Sequence, residues 1–429
     1  MRRTLLATAL AAVLALPAAA GADAGRFVVR GHGHGHGIGM SQWGAYGFAR
    51  HRWTYDQILA HYYSGTGLGI VGPRTVRVLL QTGRRSISFD GASAASGKPL
   101  SLAATYVARS TSRGIAVYRG KHRVGTFAPP LSVSSSRGVV RLLGSSLNGV
   151  SAGWYRGAID IGSGGGLMAV NALGLDDYVR GVVSGEEPSS WPIEALKAQA
   201  VAARSYALTT NRGGLAFDQY PDTRSQVYLG VAGETAATDA AVAATKRQVV
   251  IYGNQIATTY FFDSSGGHTE NVENVFYAAP AEPYLRGVAD PYDATAPEHR
   301  WTLTFTRAQM QARLGGLVKG RLRGVRVVKR GTSPRIVWAD VIGSRGRTRV
   351  RGATLKARLG LLDTWASFSS AAKAPGRPRP RVAAHPAPRT TGAAPVAPMP
   401  VPVRPLRPAP VRPSWTWPAA TWQARLVAR

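Results

Sequence analysis

The sequence of 429 residues contains no cysteine. This absence excludes a disulfide-stabilised scaffold, a metal site with thiolate ligands and a cysteine nucleophile. Acidic residues are also scarce, because 22 Asp and Glu stand against 53 Lys and Arg, which gives a formal net charge of +31. A chain with this charge is expected to associate with polyanions or anionic surfaces rather than with cationic ligands.

Long apolar runs are confined to the start of the chain. Residues 1–24 combine Arg2 and Arg3 with an apolar stretch that ends at Leu16 and a following run of small residues. This order is typical of a secretory signal peptide, and the apolar stretch is shorter than the roughly 20 residues of a membrane-spanning helix. We therefore predict a secreted, extracytoplasmic protein rather than one held by an N-terminal membrane anchor.

The other end of the chain, residues 373–429, has a different composition. It holds 14 of the 27 prolines and ten Lys or Arg, and it has no Asp or Glu. Such a segment cannot bury enough apolar area to fold, so we expect a disordered tail rich in Pro and Arg. Two interpretations remain open: a tether to anionic wall polymers or anionic lipid, and a solvated linker with no specific role.

Between these ends, helix and strand patterns alternate and predict an α+β fold with a mixed sheet and packed helices. A hydrophobic content of 45% supplies the core for one domain over residues 25–372. A β-rich module is expected at about residues 74–161, where short β-branched runs alternate with Gly, Ser and Asp clusters. The small residues at 162–166 resemble a phosphate loop but lack a following Lys-Ser/Thr, so we interpret them as a hairpin turn.

Capping residues mark several helix starts. Ser41 is a candidate N-cap, Thr54 with Gln57 forms a candidate capping box, and Thr306 precedes another helix. The strongest helical pattern begins near Pro192, and its apolar residues form one stripe that should pack under a sheet. The stripe consists of Ile193, Leu196, Ala200, Ala203 and Ala207. Further expected elements are a helix at 234–245 and strands at 248–252, 258–262, 325–328, 336–341 and 348–350.

Three histidines alternate with glycine near the start of the domain. If this segment is extended, His32, His34 and His36 project to one face and could ligate zinc. Their spacing converges poorly on a tetrahedral ion, and no carboxylate lies nearby in sequence to orient them. We therefore expect no metal and no cofactor.

An acidic pair precedes the long helix, in residues 181–191. On an extended loop, Glu186 and Glu187 would point in opposite directions, so that one enters a cleft while the other stays in water. Burial beside a like charge would raise the pKa of the inner carboxyl, as a general acid requires. The alternative interpretation is that both acids cap the N-terminus of the following helix.

Two further segments, residues 222–228 and 260–271, are polar where a core needs no polar groups. In the second, a strand runs into a small turn that contains Ser265 and His268. A serine nucleophile is disfavoured there because the Gly-x-Ser-x-Gly pattern is absent and no orienting acid is defined. We interpret the turn as one that lines a substrate.

At these segments the chain resembles the SpoIID/LytB family of bacterial cell-wall proteins, which includes sporulation lytic transglycosylases and amidase enhancers. The matching motifs are residues 35–45, 61–66, 171–206, 225–228 and 264–271. With weaker similarity the resemblance extends from about residue 31 to about residue 365. It adds a cell-wall association to the expected secretion.

The resemblance implies a role for individual residues. In the family, the Glu two places before the proline is the catalytic acid/base, which is Glu186 here; Glu187 is the alternative acid. A substrate-binding cleft is implied to be lined by His36, Ser41, Gln42, Lys197, Arg204, Gln226, Ser265, Gly266, Gly267 and Thr269. Two features depart from the family: the His-Gly block comes first in this chain, and the cysteines that bind zinc in some members are missing.

The implied chemistry is peptidoglycan cleavage with a single carboxylate. Ordinary glycosidases use two. A lytic transglycosylase instead uses the 6-hydroxyl of N-acetylmuramic acid as an intramolecular nucleophile and leaves a 1,6-anhydro end. The resemblance also implies an alternative, a non-catalytic protein that binds glycan and activates a cell-wall amidase. A nucleic-acid binder is disfavoured by the predicted export and the lack of a binding motif.

Overall fold

The computed structural model describes residues 26–277 and 279–371. The predicted signal peptide and the predicted basic tail lie outside the described residues. Within them, helices and sheets are both abundant, and the predicted α+β class is confirmed. None of the helices found there is long and apolar enough to span a bilayer.

The helices and strands follow each other in the order below. The described helices are α1 (Gln42–Arg50), α2 (Tyr55–Tyr62), α3 (Leu175–Glu186), α4 (Ile193–Thr209), α5 (Ala236–Ala244), α6 (Val272–Val275), α7 (Arg307–Leu314) and α8 (Gly352–Leu359). The first strands are β1 (Arg26–His32), β2 (Met40–Ser41), β3 (Gly67–Ile70), β4 (Thr75–Arg84), β5 (Ser86–Asp90), β6 (Ala94–Ala95), β7 (Lys98–Pro99), β8 (Tyr106–Thr111), β9 (Gly114–Arg119), β10 (His122–Phe127), β11 (Leu131–Ser134) and β12 (Val139–Ser145). The remaining strands are β13 (Ser151–Arg156), β14 (Ala158–Ser163), β15 (Leu167–Gly174), β16 (Gln248–Tyr252), β17 (Gln255–Ile256), β18 (Phe261–Phe262), β19 (Arg300–Thr306), β20 (Leu322–Arg330), β21 (Ile336–Gly343), β22 (Gly346–Arg351) and β23 (Ala366–Ala371).

Strands β4 to β15 build a β-sandwich of two antiparallel sheets. One sheet has the order β4-β15-β14-β11-β6-β7 and the other β10-β9-β8-β5-β12-β13. Buried side chains from both sheets, such as Ile159 and Phe89, belong to one hydrophobic cluster, as expected for facing inner surfaces. The glycine-rich residues 162–166 join β14 to β15, which pair from Ser163 and Leu167 onward. The hairpin interpretation of this segment is confirmed.

Helix α4 lies among the helices α1, α2, α3 and α5 and is buried on nearly all sides. Twelve of its 17 residues are buried, and it contacts α1, α2, α3, α5 and β16. The predicted stripe therefore understates its burial. Ile193 departs from the prediction in the other direction, because it is 41% exposed at the first turn. Alanine dominates this helix because small side chains let six neighbouring elements, the five above and β17, approach its backbone.

Helix α3 was missed by the sequence analysis, which placed its last residues in an extended loop. Two glycines that argue against a helix explain the error, because close packing requires them here. A Cβ at Gly181 would lie 2.5 Å from the ring of Tyr228, and one at Gly185 would lie 2.8 Å from the carbonyl oxygen of Val227. The glycines therefore cost helix propensity but allow the segment around Val227 to lie against α3.

The ends of the described chain meet in a third group of elements. Strand β1 is the central strand of a sheet with the order β19-β1-β23, and β20-β21-β22 form another antiparallel sheet. With α7 and α8 they enclose a separate hydrophobic cluster. The predicted starts of α1, α2, α4 and α7 and the last three predicted strands are confirmed. The strand expected at 258–262 is reduced to β18, which pairs with β2 in parallel.

A buried ion pair joins this third group to the polar turn near Ser265. The guanidinium of Arg335 binds both carboxylate oxygens of Asp363, at 2.9 and 2.8 Å, and neither side chain is more than 1% exposed. Arg335 also donates to the carbonyl oxygens of His268 and Ser265, at 2.6 and 2.9 Å. All of these hydrogen bonds lie inside the protein. The Arg335–Asp363 pair therefore fixes the turn against the third group of elements.

We expect Asp363→Asn to destabilise the fold strongly, because it leaves the buried Arg335 charge without compensation. The free energy of unfolding, measured by urea denaturation, should fall by about 3–5 kcal/mol. The matched control is Asp222→Asn, which breaks a partly exposed Asp–Arg pair with Arg224 and should cost about 0–1 kcal/mol. Equal losses in the two variants would contradict this assignment.

Candidate active site

Glu186 is the last residue of α3, and its partly exposed carboxyl group meets two hydrogen-bond donors. Oε1 accepts a bond of 2.7 Å from the backbone N–H of Val227. The side-chain amide of Gln42 lies 3.5 Å from Oε2 and donates a second bond, at 3.3 Å, to the Glu186 carbonyl oxygen. Three distant parts of the chain therefore converge on one carboxyl group.

The electrostatics of this position favour a protonated carboxyl group. Burial raises the pKa of Glu186 from the ordinary value of 4.5 to about 7, and the bonds from Val227 and Gln42 oppose this shift. Its place at the C-terminal end of α3 acts in the same direction as burial, because a helix dipole disfavours negative charge there. The capping interpretation is therefore wrong: the acid in the first turn of α4 is Glu194.

Glu187 is more deeply buried than Glu186 and is not directed into water. It is 2% exposed, and neither of its carboxyl oxygens has a hydrogen-bond partner within the described residues. Burial and the charge of Glu186 both raise its pKa well above the ordinary value. The prediction that one acid of the pair would stay in water is thus wrong, because the chain leaves α3 at Glu187 and turns this side chain into the interior.

Gln42 is held in place by the start of α1 and by one buried carboxylate. The preceding residue, Ser41, caps α1 by accepting the N–H of Gly44 at 3.1 Å. Its hydroxyl group donates to Asp293 Oδ1 at 3.0 Å. Both hydroxyl bonds are internal and Ser41 is fully buried, so the residue positions Gln42 rather than facing a ligand.

The polar turn after β18 is bound to the same carboxylate. The N–H groups of Ser265 and Gly266 donate to the two oxygens of Asp293, at 2.7 and 2.9 Å, and the N–H of Gly267 donates to Ser265 Oγ at 3.0 Å. The backbone amides of these three predicted cleft residues are thus used in hydrogen bonds inside the protein. Thr269 is also buried, and its hydroxyl group accepts the N–H of Val288 at 2.8 Å.

Three other predicted residues make their polar contacts with groups other than the Glu186 carboxyl. Gln226 is fully buried and donates to the hydroxyl group of Tyr178 at 3.1 Å, next to the Val227 amide that binds Glu186. Arg204 is 0% exposed, pairs with Asp176 at 2.6 Å and donates to backbone carbonyl oxygens around it. Lys197 pairs with Glu194 at 2.7 Å. In this arrangement none of the three is directed toward Glu186.

The three histidines of the N-terminal segment do not share a face. Glycines with positive φ, 73° at Gly33 and 130° at Gly35, break the extended conformation on which that expectation rested. The ring of His32 stacks on Trp365, with 4.9 Å between ring centroids. His36 packs against aromatic rings, accepts the N–H of Ile38, and has a pKa lowered to about 3 by burial and nearby cations.

Three partly exposed aromatic rings lie beside the two segments that meet at Glu186. Trp43 follows Gln42, and its ring centroid is 5.0 Å from that of Trp191. Tyr46 lies 5.4 Å from Trp43 and 5.0 Å from Trp191 by the same measure. Such rings offer an apolar face with polar edges, which suits stacking against sugars. A small pocket of about 130 Å³ elsewhere, lined by Arg30 and Trp365 among others, does not include Glu186.

Two aspartates beneath the site were missed by the sequence analysis. Asp293 is fully buried and accepts four hydrogen bonds, the fourth from His299 Nδ1 at 2.9 Å. Asp290 is 1% exposed, and burial together with the charge of Asp293 raises its pKa to about 7. Neither lies in a segment that the motifs marked. The signal available in the sequence was the scarcity of acidic residues. Because the chain has only 22 of them, each Asp or Glu was a candidate for a specific role.

Comparison with known proteins gives matches centred on these segments. Residues 163–252, which contain Glu186 and Gln226, match the family model described as SpoIID, Stage II sporulation protein. Stage II sporulation protein D of Bacillus subtilis is 33% identical over 212 residues, which are 45% of this chain and 60% of that protein. The amidase enhancer of Bacillus subtilis is 37% identical over 142 residues, 33% of this chain and 19% of that protein.

An uncharacterized protein of Brachyspira hyodysenteriae is 41% identical over 148 residues, which are 34% of this chain and 39% of that protein. The chain therefore spans between about two fifths and three fifths of the length of the first two relatives. The similarity to both a sporulation protein and an amidase enhancer confirms the family resemblance of the sequence.

We expect Glu186→Gln to stabilise the fold in a pH-dependent manner. Because folding raises the pKa of Glu186 to about 7, the folded chain keeps a proton that the unfolded chain releases above pH 4.5. The stability of the unmodified protein should therefore fall, relative to the variant, as pH rises through this window, by about 1.4 kcal/mol for each pKa unit.

Thermal unfolding of the two proteins across this pH range measures the effect. The difference in the free energy of unfolding should grow between pH 4.5 and 7 and then level off. A difference that stays constant over this range would show that the environment of Glu186 does not favour its neutral form.

Proposed function

We propose that this chain, which is similar to the SpoIID/LytB family, is an exported lytic transglycosylase that cleaves peptidoglycan glycan strands. The bond cut joins N-acetylmuramic acid to N-acetylglucosamine, and the product carries a 1,6-anhydro end. Glu186 is the acid/base of the reaction. The protein acts outside the cytoplasm, in association with the cell wall.

The observation that carries this proposal is the environment of Glu186. A partly exposed carboxyl group with a pKa of about 7 exists in both protonation states near neutral pH, as a group that acts first as acid and then as base requires. The neighbouring Glu187 is buried and cannot reach an exposed substrate. The acidic pair thus offers one accessible carboxyl group, that of Glu186, which favours a mechanism that needs a single carboxylate over hydrolysis by two.

In the first step, the protonated Glu186 gives its proton to the oxygen of the glycosidic bond as that bond breaks. The leaving N-acetylglucosamine departs as a neutral alcohol, and the muramic acid ring acquires positive character at C1. Glu186 is then a carboxylate. The N–H of Val227 and the amide of Gln42, which already bind this group, stabilise the negative charge that develops on it.

In the second step, the exocyclic 6-hydroxyl group of the same muramic acid attacks C1 and forms the O6–C1 bond of the 1,6-anhydro ring. The Glu186 carboxylate accepts the hydroxyl proton, so the group returns to its starting state and no water is consumed. Because nucleophile and electrophile belong to one sugar, the reaction has the high effective molarity of an intramolecular step.

The aromatic cluster of Trp43, Tyr46 and Trp191 is suited to bind the glycan beside this carboxyl group. Its rings are partly exposed and lie on the segments that carry Gln42 and follow Glu186. Stacking on the apolar face of a pyranose ring would orient the strand without a charged contact.

A second candidate function is supported by the similarity to an amidase enhancer. In this alternative, the same groups bind glycan without cutting it, and the bound chain activates a cell-wall amidase. The predicted basic tail would tether either protein to anionic wall polymers or lipid. The two functions differ in whether the carboxyl group of Glu186 is needed.

We expect Glu186→Gln to abolish the release of anhydro-muramic products, because the amide cannot donate the proton that the leaving oxygen needs. The loss should be at least about 100-fold in rate. The measurement is mass spectrometry of soluble products from purified wall glycan, both intact and treated with an amidase.

The matched control is Glu187→Gln, which replaces the buried neighbouring acid with a neutral amide of similar size. This variant should retain activity, because Glu187 does not reach the substrate. Products with reducing muramic ends would replace this proposal with hydrolysis. Glycan binding without cleavage by the unmodified protein, together with amidase stimulation that survives Glu186→Gln, would establish the activator function instead.

We expect Gln42→Leu to move the alkaline limb of the pH–rate profile to higher pH while lowering the maximal rate. The Gln42 bond lowers the pKa of Glu186, so its removal should let the carboxyl group hold its proton to a higher pH. A profile of kcat/KM against pH measures this shift. A reduced rate with an unmoved limb would mean that Gln42 acts on the fold alone.

A further inference from the structure

His34, Asp263 and Glu298 come together outside the site already described. One candidate ligand atom from each side chain lies within 4.8 Å of the other two, and His34 Nδ1 is 3.2 Å from Asp263 Oδ2. All three residues are partly exposed, and Asp263 Oδ2 is a buried oxygen with no hydrogen-bond partner within the described residues. No carboxylate lies close to the histidines along the chain, but the fold brings two carboxylates to His34 from more than 220 residues away in sequence.

Backbone hydrogen bonds hold the three segments in this arrangement. The N–H of His34 donates to the carbonyl oxygen of Ser264 at 2.8 Å, and the N–H of Ser264 donates back to His34 at 3.0 Å. Gly33 donates to the carbonyl oxygen of His299, next to Glu298, at 3.2 Å. The ligand-bearing residues are therefore positioned before any ion binds, which lowers the cost of ordering a site.

The charges of the cluster also suit a cation. The side chain of Asp263 contacts His34, and one of its carboxyl oxygens lies within 4.8 Å of a carboxyl oxygen of Glu298. Two carboxylates thus adjoin each other in a chain whose net charge is +31. A divalent ion would relieve their repulsion, and it would convert a locally unfavourable arrangement into a favourable one.

We propose that His34, Asp263 and Glu298 form a binding site for a divalent transition-metal ion such as Zn²⁺. One imidazole nitrogen and two carboxylate oxygens form a donor set that Zn²⁺ accepts, with a fourth position left for water. In a tetrahedral site, two ligands at about 2.1 Å from the ion lie about 3.4 Å apart, so ligand atoms that are within 4.8 Å of one another must close by at most about 1.4 Å. The ion would join the N-terminal segment to the turn that carries Ser265.

The test is Zn²⁺ binding to the full chain, without a histidine tag and after removal of metal with a chelator. Calorimetric titration of the unmodified protein should show a site that Asp263→Asn and Glu298→Gln each weaken by more than about 100-fold, the upper end of the range typical of outer-shell changes. His122→Ala, which removes an exposed histidine of the β-sandwich, should leave this site unchanged.

A second measurement does not depend on the heat of binding. Zn²⁺ should raise the midpoint of thermal unfolding of the unmodified protein and of His122→Ala, but not that of Glu298→Gln, because an ion that binds the folded state stabilises it. Circular dichroism verifies that each variant is folded; if Asp263→Asn is not, Glu298→Gln carries the comparison. Zn²⁺ binding that is absent, or equal in the unmodified protein and Glu298→Gln, would overturn the proposal.

Discussion

The carboxylate of Asp293 is the interaction on which the geometry of the candidate site depends. It is fully buried, and an ionised carboxylate in that position must have its oxygens filled by donors. The donors come from three separate segments, so the buried charge can be satisfied only when these segments meet. They are the hydroxyl group of Ser41, the N–H groups of Ser265 and Gly266, and Nδ1 of His299. The position of Gln42, and hence its bond to Glu186, follows from this arrangement.

Local rules were sufficient to predict much of the fold from the sequence. The N-cap at Ser41, the side chain of Gln57 that accepts the N–H of Thr54, and the corresponding pair at Thr306 and Gln309 act within one helical turn, so the sequence displays them directly. Helix α3 was not predicted, because its glycines are required by close packing against the segment around Val227, which is distant in sequence. Propensity favours a loop there, and tertiary packing overrides it.

The candidate site was also only partly predictable from the sequence. The resemblance identified Glu186 from a short motif, but the support of that residue could not be seen in the motif. The resemblance implied that Arg204 and Gln226 line the substrate-binding cleft. Their hydrogen bonds lie inside the protein, and that fact depends on which elements pack against them. The motifs therefore marked the segments that form the candidate site, and only the packing distinguished the partly exposed Glu186 from the buried residues around it.

The central place of β1 in its sheet has a consequence for the order in which the chain can become functional during synthesis. Its partners, β19 and β23, lie near the other end of the described chain, and Ser41 is separated from its partner Asp293 by 252 residues. Contacts of such long range form late, because a large loop must close before they can be made. A growing chain that already contains Glu186 has no Asp293 to hold Gln42 beside it. The arrangement keeps an incomplete polypeptide from presenting an assembled site.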